Sequence, residues 1–139
     1  MSFCTVVNCM DGRVQLPVIT YLQGRFDAEH VDSVTAAGPN LILARRAEPG
    51  LVASILRRVT LSVERHGSVG IALVGHHDCA GNPAPEGKQR EHIVAGVELL
   101  RGRFPGLPVI GLWVDESWTV REVATGSERN ESPALVGGD

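Results

Sequence analysis

Val69-Gly70-Ile71-Ala72-Leu73-Val74 is an unbroken apolar run that ends in Gly75-His76-His77-Asp78-Cys79-Ala80-Gly81. A short β-branched run of this kind reads as a strand covered on both faces, the situation of parallel sheets with helical crossovers. It constrains the chain to an α/β architecture. His76 and Cys79 are then expected just past the strand's carboxyl end, where open α/β sheets place their sites. A second apolar segment, Phe3 to Asn8, runs out into Cys9-Met10-Asp11-Gly12-Arg13. Two strand ends therefore supply two thiols and an imidazole. Zinc sites with an open fourth position are built from such a set.

Read in order, strands alternate with helices. Phe3 to Asn8 is the first strand, and Leu16 to Gly24 a short helix with Pro17 in its first turn. His30 to Ala36 is the second strand, leading into the small-residue loop Ala37-Gly38-Pro39-Asn40. Leu41 to Arg46 reads as loop or one helical turn. Pro49 to His66 is a helix, with Leu51, Ile55, Leu56, Val59 and Val63 on one stripe and Gly67 closing it. Gly67 to Val74 is the third strand and Ala80 to Gly87 a Pro- and Gly-containing loop. Gln89 to Phe104 is another amphipathic helix, Val109 to Val114 the fourth strand, and Trp118 to Val123 a short edge strand. The expected fold is a single α/β domain over residues 1–124, with a mainly parallel four-stranded sheet flanked by helices and a short fifth edge strand. From Thr125 the polar, glycine-rich composition predicts a mobile tail over residues 125–139.

Composition narrows the function. The 139 residues suffice for one hydrophobic core, with 43% apolar and 21% charged residues. A net charge of −3, with 4% aromatic residues, supplies neither a basic face nor a stacking platform for nucleic acid. Three cysteines suit free thiols in a reducing compartment better than a disulfide framework. Met1-Ser2-Phe3-Cys4 enters a strand almost at once, so no signal peptide is expected, and no apolar stretch approaches the roughly 20 residues of a membrane span. The expected location is cytoplasmic.

Cys9-Met10-Asp11-Gly12-Arg13, then Ala37-Gly38-Pro39-Asn40, then Gly75-His76-His77-Asp78-Cys79, taken together, resemble the β-class carbonic anhydrases. That family has a Cys-x-Asp-x-Arg loop after its first strand and a His-x-x-Cys loop after its third. Ala53 to Gly75 reads like its helix and strand into Gly-His-x-x-Cys, and Ile110 to Asp115 like its following strand. Either motif alone is weak. Both, in order and at strand ends, are fairly specific.

The resemblance implies that Cys9, His76 and Cys79 bind Zn2+, with Asp11 and Arg13 as a catalytic dyad and Gly38, Asn40 and Gly81 near the substrate pocket. The implied reaction is reversible hydration of carbon dioxide to bicarbonate by zinc-bound hydroxide, which Asp11 orients while Arg13 fixes Asp11. Two thiolates make the metal less electrophilic than three imidazoles would, so activity is expected to favour alkaline pH. If Arg13 let go, the freed Asp11 carboxylate could take the fourth zinc position and close the site. Carbonyl sulfide or carbon disulfide hydrolysis on the same site, and zinc binding without hydratase activity, are the rival expectations.

Each residue alone has a plainer reading. Cys9 packs as a small hydrophobe, His76 is a satisfied loop histidine, and Asp11-Gly12-Arg13 is a solvated turn with a weak surface pair. Cys4 reads as core. His77 and Asp78 read as polar loop residues that could also relay protons.

The chain departs from the family in several places. It enters its first strand directly, without the N-terminal helical arm that wraps the partner subunit in typical members. It has Gly12 in place of a small hydroxyl residue, Ala80 in place of glycine, and a shortened loop after Cys79. A homodimer or higher homo-oligomer is implied nonetheless, with an exposed apolar surface around Trp113 expected to contribute.

Overall fold

A computed structural model describes residues 1–125. Five strands, β1 (Phe3–Cys9), β2 (His30–Ala36), β3 (Ile71–His76), β4 (Val109–Val114) and β5 (Val120–Thr125), form one sheet in the order β2-β1-β3-β4-β5. The first four are parallel, and β5 returns antiparallel along β4. The fifth strand is therefore a full member of the sheet. It also takes in Thr125, expected to begin the tail; residues 126–139 of that tail lie outside the described residues.

Helices cover both faces, α1 (Gln15–Arg25) on one and α2 (Pro39–Arg45), α3 (Pro49–His66) and α4 (Glu86–Arg103) on the other. The strands' alternation sorts the core accordingly. Val7, Val34, Ile71, Leu73 and Val109 pack with Leu43, Ile55, Val59, Ile93 and Leu100 of the three helices. Cys4, Val6, Ala72, Val74, Ile110 and Leu112 pack with Val18 and Leu22 of α1. β1, β3 and β4 carry near-continuous apolar sequence because both of their faces are covered.

Four expectations need correction. Leu41 to Arg45 belongs to a helix that starts at Pro39, directly after Gly38 in a left-handed conformation, and Arg46 caps its end. The third strand runs from Ile71 to His76 rather than Gly67 to Val74, because Gly75 and His76 still pair with Trp113 and Val114 of β4. Trp113 is 2% exposed, because α4 covers the sheet face onto which it projects; it offers no surface for a partner. The last helix likewise begins at Glu86, three residues before the expected start.

Candidate metal centre

β1 and β3 are adjacent and parallel, so their carboxyl ends open at the same place. Cys9 is the last residue of β1, His76 the last of β3, and Cys79 follows in the turn. All three side chains are buried, and their potential ligand atoms lie within 4.8 Å of one another. The sulfurs are 3.8 Å apart. Two sulfurs each about 2.3 Å from a tetrahedral zinc would stand about 3.8 Å apart, so the spacing suits that ion.

His76 supplies a second test of fit. Its Nδ1 lies 2.8 Å from the carbonyl oxygen of His77. A carbonyl only accepts, so Nδ1 carries the proton and Nε2 presents a lone pair. Nε2 is buried and has no hydrogen-bond partner among the described residues. A buried acceptor left without a partner is costly. A cation between the two sulfurs and this nitrogen removes that cost.

The pair of sulfurs is prepared for one negative charge, carried by Cys9. The hydrogen bond from Cys79 is the largest influence lowering Cys9, to about 3, with the backbone N–H groups of Gly38 and Asp11 adding to it against burial. Cys79 is driven upward as the proton-holding partner, although the N–H groups of Asn82 and Gly81 aim at its sulfur. Gly38 and Gly81 thus point backbone donors at the two thiols. They also touch: a Cβ on Gly81 would lie 2.4 Å from the carbonyl carbon of Ala37, and one on Gly38 2.6 Å from that of Gly81. Gly81 lines a cleft of about 230 Å3 with Ala37, Leu41, Ile42 and Leu51.

Asp11 and Arg13 sit in the turn that leads through a 3-10 segment, Gly12–Val14, into α1. Asp11 Oδ1 accepts from the backbone N–H of Arg13 at 2.9 Å and from its Nε at 3.0 Å. Arg13 Nη2 donates to Asp11 Oδ2 at 2.7 Å. This fork holds the Asp11 carboxyl at about 2, below the usual carboxylate range. Gln15 fastens the turn, its Nε2 donating to the carbonyls of Cys9 and Asp11 at 2.8 Å each.

Asn40 lies in a buried amide network that sequence reasoning missed. Its Nδ2 donates to Gln89 Oε1 at 3.1 Å, and its Oδ1 accepts from Asn82 Nδ2 at 3.3 Å. Gln89 Oε1 also accepts from the backbone N–H of His76 at 3.3 Å. Gln89 Nε2 donates to the carbonyls of His76, Asn82 and Ala84 at 2.9, 3.1 and 3.2 Å. One side chain from α4 thereby grips both backbone groups of His76 and the loop after Cys79. The available signal was its place on the inward stripe Gln89, Ile93, Gly96, Leu100. His92 on the same helix meets Asn82 Nδ2 through Nδ1 at 3.0 Å.

Residues 1–124 match a family model described as "Putative carbonic anhydrase". The search of curated proteins finds no match. Among solved structures, the chain is similar to a carbonic anhydrase from Glaciozyma antarctica, with 16% identity, a TM-score of 0.59, and coverage of 87% of this chain and 81% of that one. It is also similar to a structure from work on two tetrameric beta-carbonic anhydrases of the filamentous ascomycete Sordaria macrospora. There the identity is 15% and the TM-score 0.57, over 85% of this chain and 79% of that one.

Proposed function

We propose, from the premise that this chain belongs to the carbonic anhydrase family its sequence matches, that it is a zinc-dependent lyase interconverting carbon dioxide and bicarbonate. One observation carries the reading. Cys9, His76 and Cys79 converge as three buried donors, while the nearby carboxylate, Asp11, is fully engaged by Arg13. Three protein donors leave a place for a small reactant, whereas a structural zinc site closes itself with four.

When bound, zinc supplies a Lewis acid that generates a nucleophile from water near neutral pH. Cys9 and Cys79 would hold it with two negative charges and neutral His76 with Nε2, the ring being fixed by the bond to His77 O. Asp11, ionised because Arg13 holds it, would accept a hydrogen bond from a water beside the three donors and so orient it. Arg13 keeps Asp11 in that rotamer. A substrate this small needs little further recognition.

Assembly into a homodimer or larger oligomer is part of the proposal. The Sordaria macrospora enzymes that this chain resembles in fold are tetrameric, and Met10 and Leu16, beside the dyad turn, are 66% and 75% exposed. Among the described residues no helix is long and apolar enough to cross a membrane.

The test is zinc content together with stopped-flow carbon dioxide hydration across pH, for wild type and Asp11→Ala. The expected result is about one zinc per chain, hydration that rises toward alkaline pH, and a loss of about 100-fold or more in the variant. Zinc without hydration would transfer the site to carbonyl sulfide or carbon disulfide, or to a binding role. Absence of zinc would end the reading.

A further inference from the structure

We propose that Asp78 and Trp118 clamp Arg13 onto Asp11 and thereby keep the Asp11 carboxylate off the metal. The inference rests on the metal reading above and adds two positioning residues to it.

Arg13 is 46% exposed in its side chain. An exposed ion pair alone holds a long side chain weakly. Here the guanidinium is engaged from three directions. The Asp11 fork takes Nε and Nη2. Asp78 takes Nη1 on its Oδ2 at 3.3 Å and Nη2 on its backbone carbonyl at 3.1 Å. The Trp118 ring lies against the planar group, its centroid 4.6 Å from Cζ, within cation–π range.

The two added partners share a backbone oddity. Asp78 has φ +59° and Trp118 φ +60°. Left-handed backbone is tolerated by aspartate in turns but is a genuine outlier for a bulky aromatic. Its surroundings hold Trp118 there. Trp118 N–H donates to the Asp115 carbonyl at 2.9 Å. Asp115 Oδ1 accepts from the N–H groups of Ser117 and Thr119 at 2.9 and 3.0 Å. The turn between β4 and β5 is thus built around Asp115, and it delivers the indole to Arg13. Asp78 stands between the donors His76 and Cys79, so three turns meet at one guanidinium.

The consequence concerns Asp11. Both of its oxygens are bound by Arg13, and a carboxylate must release one to ligate a metal. The clamp raises the cost of that release, favouring an open fourth position. Without it, Arg13 is held by the Asp11 fork alone, and an Arg13 that lets go leaves Asp11 a free anionic donor two residues after Cys9.

The experiment uses Asp78→Asn and Trp118→Leu, singly and combined, with Trp118→Phe as the variant that keeps a ring. In cobalt(II)-substituted protein, thiocyanate titration followed by the visible d–d bands reads access to the fourth position. Each single variant is expected to weaken thiocyanate binding roughly threefold and the pair about tenfold, with Trp118→Phe close to wild type. Adding Asp11→Asn to the double variant should restore the anion response, which a merely loosened fold would not do. In metal-free protein, solvent exchange of the Arg13 Nε–H by 15N NMR should be slow in wild type and faster in the double variant. Wild-type thiocyanate affinity in the double variant, or equal Nε–H exchange in both proteins, would overturn the clamp. Failure of wild type to take up cobalt or zinc would sink the enzyme reading, while the metal-free exchange measurement still decides whether the clamp exists.

Discussion

Cys4, Cys9 and Cys79 are all buried, yet only Cys9 and Cys79 converge with His76 at the candidate metal centre. Burial pushes the Cys4 thiol up to about 11, with Asp32 adding to the effect. A thiol's reactivity follows its thiolate fraction, which for such a group is about 0.1% at pH 8. Cys4 should therefore stay unlabelled by iodoacetamide in the native protein at pH 8 and become labelled on unfolding, as peptide mass spectrometry would show. Gln89→Leu is expected to cost about 2–4 kcal/mol, since it strands the N–H and carbonyl of His76 and the amide of Asn40 in the interior. Chemical denaturation measures that loss. A chelator competition should show metal affinity falling roughly 10- to 100-fold, the usual effect of removing a support behind a ligand. The convergence of Cys9, His76 and Cys79 was legible in sequence because both motifs stand at strand ends. Gln89, Asn82 and Gln15 were not, because an amide's importance lies in partners that only the folded chain brings to it.

At the scale of elements, long segments with clear stops were read from sequence and short ones were not. α3 spans Pro49–His66 as expected, since Pro at its start, Gly67 at its end and five turns of apolar periodicity all agree. α2 has seven residues and buries Pro39, Asn40 and Leu43, too few to establish a period. The end of β3 is set by pairing with β4 rather than by hydrophobicity, so the apolar run stopped short of it. α4 lies close to the sheet: a Cβ on Gly96 would meet Leu73 Cδ2 at 2.4 Å, and Ile93 packs over Gly75 and Gly111. Ile93→Ala, at a fully buried position, should destabilise by about 2–5 kcal/mol in urea denaturation. Because Ile93 lies one turn beyond Gln89, metal affinity should fall with it.

For the whole molecule, alternating strands and helices made the α/β architecture legible. The burial of Trp113 was not, because the helix that covers its face of β4 lies earlier in the chain. A metal that binds only the folded chain stabilises it by mass action. Zinc at 100 times its dissociation constant should add about 2.7 kcal/mol, so a thermal melt should shift upward with added zinc and fall back with a chelator. The contact between Gly38 and Gly81 has a consequence of another kind. With backbone on both sides, Gly81→Ala must part the two loops, at about 1–3 kcal/mol, whereas Gly12→Ala meets open space and should change stability by less than about 0.5 kcal/mol. In an exhaustive substitution screen scored by zinc retention, Gly38 and Gly81 would rank beside the donors themselves. Two positions without a side chain would carry the genetic signature of active-site residues.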